Sequence, residues 1–349
     1  MSPTSYRTAP PRVTDSNPND TIALRVRPRN LAPIRRFGFP VFVSSAVLAS
    51  LAILAAQSNI VRTADPVKRG LKITDFPRTV KVTDNVYTYE DFHAGDEKFT
   101  TTNLFVVTDA GVLVADGQGD PGATKGLVDA IARVTPKPIK YVVICSDHGD
   151  HTGGNASFPA GITYLVHPTS KAILERQAAS GRGAAGWTLP ADAVVVPEKK
   201  AITLGSEDLQ VIFLGRAHTG GDLSVYLPRQ KILFMSEIFL NRVFPAMRSA
   251  YPSDWLRTLT RAEQMDVRIY VPGHGFTEQA AVSNDELRAY HKALDAVVAE
   301  ATRLYKAGVP VDNAITQADF GEYAAWTLSQ SQGPIAIRKV YEELSGALK

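Results

Sequence analysis

The chain has 349 residues, 44% of them hydrophobic, and its 38 basic and 35 acidic side chains leave a formal net charge of +3. That length buries a substantial core, and the near balance of charge gives no electrostatic footprint for nucleic acid. A single cysteine excludes an intrachain disulfide.

Residues 1–36 hold seven arginines against two aspartates, are rich in Pro, Thr and Asn, and read as a disordered leader. An uncharged apolar run of 16 residues, 41 to 56, follows Arg35-Arg36. Residues 37–58 have the layout of a secretory signal, with Ala56-Gln57-Ser58 as a small-x-small cleavage site. The other reading is an uncleaved anchor giving membrane association, although the run is short for a full span of about 20 residues. Basic residues ahead of it place the rest of the chain on the exported side, and the arginine pair also fits a twin-arginine route. The expected product is exported, either periplasmic or anchored to the membrane.

Residues 59–79 read as a linker, 80–283 as the main domain and 284–349 as a helical C-terminal segment. Strand-like runs cover 85–89, 103–107 and 112–115. Residues 121–134 form a helical pattern with Leu127, Val128, Ile131 and Val134 on one side. A strand at 141–145, a short strand at 162–166 and a helix at 169–179 follow. Residues 181–191, rich in Gly and Ala around Trp187, read as a plain surface loop or a mobile insertion over a pocket. Further strands lie at 209–213, 223–227, 232–234 and 269–271, with a helix at 253–264. A long helix at 285–307 and a closing one at 334–348, with Pro334 at its first position, end the chain.

The apolar run Tyr141-Val142-Val143-Ile144-Cys145 leads into Ser146-Asp147-His148-Gly149-Asp150-His151. Imidazole nitrogens and carboxylate oxygens are the ligands of a hydrolytic Zn²⁺ or related ion, and a strand end holds them rigidly. The chain has seven histidines, and two distant ones sit in similar settings. His218 lies in Ala217-His218-Thr219-Gly220-Gly221-Asp222 before a strand, and His274 in Pro272-Gly273-His274-Gly275 after one. Glu237 ends another apolar run with a carboxylate and reads as a candidate ligand, with a surface carboxylate opening a loop as the alternative. Asp116, at the end of the strand 112–115, reads as a turn former or as a group orienting a ligand. Cys145 reads as a small core residue. His93, His167 and His291 read as surface or packing residues, with the pocket mouth as the alternative for His93.

This series resembles the metallo-β-lactamase superfamily, whose loop pattern is H-x-H-x-D-H, followed by a later His, a bridging Asp and a last His. The resemblance spans roughly residues 86–275 and implies an αββα sandwich, an α/β fold, with a helical C-terminal extension. It implies one metal position from the first two loop histidines and the later His, here Ser146, His148 and His218. The other comes from Asp150, His151 and His274, and is intact. Ser146 replaces the first imidazole, and Glu237 stands where the bridging Asp is expected. Serine is a poorer Zn²⁺ ligand, so the expectation is one or two ions per chain. Ser146 could hydrogen-bond at the site, Asp147 could swing in, and Glu237 could chelate or bridge. Zn²⁺ is the expected cofactor, with Fe or Mn as alternatives.

The expected activity is hydrolysis of an ester, thioester, lactone or amide-like bond, β-lactams included, in a small-molecule substrate. Asp150 would orient the nucleophile and shuttle a proton. Rival readings are a metal-binding protein with reduced catalysis and an iron-dependent oxidoreductase or sulfur dioxygenase. Pocket loops, and so the substrate and the oligomeric state, are not legible in the sequence.

Overall fold

The apolar runs become strands of one mixed sheet in a computed structural model that describes residues 61–93 and 98–348. The expected leader at 1–36 and signal or anchor at 37–58 lie outside the described residues. Among the described residues no helix is long and apolar enough to cross a membrane.

The strands are β1 (Arg78–Lys81), β2 (Val86–Phe92), β3 (Thr100–Val107), β4 (Val112–Ala115), β5 (Ile139–Ile144), β6 (Thr163–Val166), β7 (Val194–Val195), β8 (Lys199–Leu204), β9 (Glu207–Phe213), β10 (Leu223–Leu227), β11 (Ile232–Leu240) and β12 (Ile269–His274). Their order is β7-β6-β5-β4-β3-β12-β11-β10-β9-β8, with β2 also on β3 and β1 on β2. β3 is the seam. Its residues Leu104 to Val107 pair with β4, while Thr101 pairs with His274 of β12. The sheet curls there into a half-barrel, so that Val106, Leu113 and Val143 of one half meet Val211, Val225 and Phe234 of the other. Strands covered on both faces carry nearly continuous apolar runs, which is why β4 and β11 are buried at every residue.

Helices cover both outer faces. α1 (Pro121–Val134), α2 (Gly149–Thr152) and α3 (Pro168–Ala179) follow the first strands; α4 (Pro252–Glu263), α5 (Ala280–Lys306), α6 (Val311–Gln317) and α7 (Ser329–Leu344) follow the last. α1 starts where Asp120 accepts hydrogen bonds from the Gly122 and Ala123 amides at 2.8 and 2.9 Å, an N-cap that pairs with Pro121 at the first position. Its Leu127 and Ile131 pack on Phe105, Val114 and Val142. On the other face Trp255, Leu259, Leu287 and Ile337 pack on Leu233, Met235 and Tyr270. These layers are the expected αββα arrangement with its C-terminal helices.

Several local expectations need correction. β1 and β8 carried no strand signal because both alternate exposed and half-buried or buried residues at a sheet edge, where Lys81, Lys199 and Lys200 face solvent. β11 runs six residues past Phe234, to Leu240. Pro334 is inside α7 rather than at its start. The helix begins earlier because Thr327 is pinned: it forms a bridge with Val243 and its carbonyl accepts from the Phe244 amide at 2.8 Å. Trp187 packs against Tyr164 at 5.7 Å between ring centres, and residues 181–191 contribute nothing to the histidine-lined cavity, in keeping with the surface-loop reading.

Candidate metal centre

Four strands deliver the site at one edge of the sheet. β4 leads into Asp116, β5 leads into Ser146 to His151, and β12 ends at His274. Glu237 comes from within β11, where the pairing with β12 shifts register around Ser236. Ser236 has φ 48°, a left-handed value unusual for a residue with a side chain. Such a bulge re-aims a side chain out of the regular pleat, and here it turns Glu237 into the cluster. Gly273 permits the close approach, since a Cβ there would lie 2.5 Å from the Ser236 carbonyl carbon.

Two groups of donors result: Asp150, His151, Glu237 and His274, and His148, His218 and Glu237. In the first, Asp150 Oδ2 lies 3.1 Å from His274 Nε2 and 3.4 Å from His151 Nε2. Glu237 Oε1 lies 3.3 Å from His274 Nε2 and 3.4 Å from His151 Nε2. In the second, His148 Nδ1 is 3.0 Å from His218 Nε2 and 3.0 Å from Glu237 Oε2. Glu237 Oε2 is 2.5 Å from His218 Nε2. The two carboxylate oxygens of Glu237 therefore serve different groups. It is no surface carboxylate: it is 3% exposed.

The first group fits a tetrahedral ion. Its donor–donor distances match the edges, roughly 3.3 Å, of a tetrahedron with bonds of about 2.0 Å. His151 Nε2 is buried and makes no well-formed hydrogen bond; the Asp150 and Glu237 oxygens lie 3.4 Å away on either side, and it points at the gap between them. The second group has three donors, and Ser146 stands beside it, its hydroxyl donating to Glu237 Oε2 at 3.3 Å. The serine addresses the carboxylate that both groups share.

The surrounding contacts orient these donors. The His274 Nδ1–H donates to the Thr100 carbonyl at 3.0 Å, which leaves Nε2 for the cluster. Asp116 Oδ2 lies 3.0 Å from His151 Nδ1 and accepts from the Ser236 hydroxyl at 2.6 Å. Asp116 Oδ1 accepts from the Cys145 amide at 2.7 Å. One carboxylate thus joins three of the segments that build the site. Asp147 belongs to neither group and is buried. Cys145 is buried in the core between the sheet halves.

Charge is tightly balanced. Burial pushes the Glu237 carboxyl up, but the His218 and His148 imidazoles outweigh it and hold the group well below the usual carboxylate range. For Asp150 burial is likewise overcome, chiefly by His151. Burial pulls His148 down, yet Glu237 raises it to about 9. His274 also reaches about 9 against its burial, through hydrogen bonds to Asp150 and Glu237.

These raised values set the pH dependence of the metal-free protein. Protonated His148 and His274 stabilise the fold fully below the ordinary imidazole value of 6.5, and that contribution is lost as pH rises through about 9. An ion requires neutral imidazole, so its affinity moves the opposite way and climbs over the same window. His151 is raised as well, against its burial and chiefly by Asp150, so zinc titrations of the chelator-treated full chain at pH 7, in buffers of differing ionisation enthalpy, are expected to show about one to two protons released per ion. No proton release would contradict the assignment.

The sequence under-read the pocket. His93 Nε2 lies 3.4 Å from Asp150 Oδ2, and its ring stacks on Phe99 at 4.6 Å. His167 and His291 stay outside: His167 stacks on Phe213 at 4.2 Å, and His291 pairs with Glu263 at 2.9 Å. A cavity of about 280 Å³ opens over the cluster, walled also by Arg248, Leu328 and Gln332. No sequence motif marked those three.

The family model of the metallo-beta-lactamase superfamily matches residues 99–274, just over half of the 349 residues. The 2,4-dinitroanisole O-demethylase subunit alpha of Nocardioides sp. (strain JS1661) is 26% identical over 238 residues, covering 67% of this chain and 68% of that protein. Metallo-beta-lactamase type 2 of Elizabethkingia meningoseptica is 23% identical over 213 residues, 58% of this chain and 81% of the relative. Among solved structures, a metallo-beta-lactamase from Pontibacter korlensis superposes with a TM-score of 0.53 at 21% identity, covering 62% of this chain and 98% of its own, a likeness of fold. With the loop motif, the sheet-edge cluster and this match in agreement, the chain belongs to the metallo-β-lactamase superfamily.

Proposed function

We propose that this protein is a metal-dependent hydrolase of a small molecule. The carrying observation is Glu237, whose Oε1 faces His151 and His274 while Oε2 faces His148 and His218. Asp150, His151, His274 and Glu237 would hold one divalent ion, zinc by donor type. His148, His218 and Glu237, with the Ser146 hydroxyl beside them, would hold a second. An ion held there would lower the pKa of a bound water to about 7 and polarise a substrate oxygen.

The protein's own groups do the rest. Asp150 Oδ2, within reach of His274 and His93, accepts the proton of the attacking water and returns it to the leaving group. Water thus adds across the bond, its hydroxyl to the electrophilic carbon and its proton to the departing oxygen, sulfur or nitrogen. His93 stands at the mouth, 3.4 Å from that carboxylate, ready to carry to solvent the further proton released when an acid product ionises. Esters, thioesters, lactones and amide-like bonds all meet this chemistry, and the demethylase name of one relative adds an aryl methyl ether. Ser146 supports a second reading, a metal-binding protein with weakened catalysis, because it removes an imidazole from one group. Export through residues 37–58 belongs to the same proposal and rests on the sequence alone.

The test is metal content per full-length chain by elemental mass spectrometry, together with turnover of a panel of chromogenic esters, thioesters, lactones, β-lactams and aryl ethers. Metal-dependent turnover of one class is expected. A chain loaded with two ions yet inert on the whole panel would support the weakened reading instead.

A further inference from the structure

We propose that residues 61–73 form a membrane-contact face. Their outer side rests on an anionic lipid bilayer that retains residues 37–56, with Val67 and Ile73 entering the headgroup layer and Lys68 and Lys72 meeting lipid phosphates. This goes beyond the hydrolase reading and rests only on the anchor reading of the apolar run. Of the six large apolar side chains exposed among the described residues, three fall in this short segment: Val61 at 58%, Val67 at 57% and Ile73 at 41%. Apolar side chains scattered singly are ordinary on a protein surface. Three in one docked segment, beside the exposed Lys68 and Lys72, have the make-up of an interfacial element.

The segment has an inner and an outer side. Ala64 is fully buried in the core that holds Phe244 and Leu287, and Pro66 is buried too. The Arg62 guanidinium pairs with Glu286 of α5 at 2.8 Å. Arg69 pairs with Glu278 at 2.7 Å, its guanidinium 4.6 Å over the centre of the Phe276 ring. These residues face the domain, so Val67, Lys68, Lys72 and Ile73, exposed along the same stretch, face away from it. Asp65 fixes the turn that presents them: its Oδ1 accepts from the Val67 and Lys68 amides at 2.9 and 3.2 Å. Lys68 meets a carboxylate only loosely, Asp65 at 3.8 Å, and Lys72 makes no ion pair among the described residues.

The chain ahead of the segment identifies the partner. No charged side chain occurs from Phe37 to Val61, between Arg36 and Arg62, and about 20 apolar residues suffice to span a bilayer core. The apolar run ends at Ala56, five residues before Val61. An extended chain covers at most about 3.3–3.6 Å per residue, so a run held in the bilayer keeps Val61 within about 17 Å of its end. A tether that short gives this face, rather than any other, a high effective concentration at the lipid. The lysines add attraction to anionic headgroups. Arg69 lies over Phe276, two residues past His274, so the contact is at the site end of the sheet.

Fluorescence of the full chain reconstituted in vesicles of phosphatidylcholine with one third phosphatidylglycerol tests this without requiring turnover. The sole cysteine, Cys145, is fully buried, so a fluorophore on Val67→Cys reports from that position alone. Val195→Cys, in β7 and 43% exposed, is the reference. A quencher carried on lipid headgroups is expected to quench the label at 67 about threefold more than the label at 195. Adding Lys68→Glu and Lys72→Glu should weaken the contact on the order of 10-fold, and so should vesicles of phosphatidylcholine alone. Equal quenching at 67 and 195, in a chain that stays with the vesicles through an alkaline wash, overturns the contact face and leaves the anchor standing. Release of the chain by that wash removes the anchor and the proposal with it, while the hydrolase reading is untouched. Quenching indifferent to both the lysines and the lipid charge overturns the assignment to anionic lipid. Self-quenching that rises with labelled chains per vesicle, without quenching by lipid, gives the face to a second copy of the chain and also overturns it.

Discussion

Glu237→Gln is expected to reduce metal affinity and turnover each by more than 100-fold. Groups that merely orient metal ligands are worth about 10–100-fold, and Glu237 faces both donor groups directly. The amide keeps the shape and loses the charge. It also places an NH₂ against imidazoles that now face a carboxylate oxygen. A second readout follows from the electrostatics. Glu237 is the leading cause that raises His148 to about 9, so in the metal-free variant that histidine should titrate closer to 6.5, and proton release on zinc uptake should shrink. Glu237→Asp keeps the charge on a chain one methylene shorter and should lose much less. Elemental mass spectrometry and histidine NMR titration check the series; unchanged metal content in the glutamine variant would remove Glu237 from the site.

Asp116→Ala is expected to cost on the order of 3–5 kcal/mol in folding stability and about 10–100-fold in metal affinity. The side chain is fully buried, and its loss strands the Cys145 amide, the Ser236 hydroxyl and His151 Nδ1. Three consequences coincide there: the metal loop loses its anchor to β4, the bulge that aims Glu237 loosens, and His151 loses the partner that fixes its ring. Asp116 also has φ 63°, a region that Asp and Asn tolerate better than Ala. Asp116→Asn separates the effects, because it keeps an acceptor and the backbone preference while removing the charge. It should cost roughly 1–2 kcal/mol and still weaken metal binding. Urea unfolding with and without zinc measures both. An alanine variant as stable as the parent would show that Asp116 is a turn former and nothing more.

Much of this protein is local in origin, and the sequence carries it. Residues 121–134 read as a helix and form one with those ends, because the N-cap, the proline and the apolar face all act within a few positions. Segments 223–227 and 112–115 behave likewise. The donors on the loop after β5 are fixed by their neighbours, and the order of His148, Asp150, His151, His218 and His274 suffices to name the superfamily. What the sequence could not supply is reach across the fold. Ser146 and Glu237 are 91 positions apart, and they meet only because β11 continues through a bulge at Ser236 that no periodicity announces. His93 reaches Asp150 across the β3 seam. Gln332 reaches the cavity because Thr327 is bridged to Val243, a pairing between a helix start and a distant loop. Periodicity reports which face of an element is buried; it does not report which element lies opposite. The donor types were therefore set by the sequence. The division of Glu237 between two groups, and the wall facing the substrate, were decided by the tertiary structure.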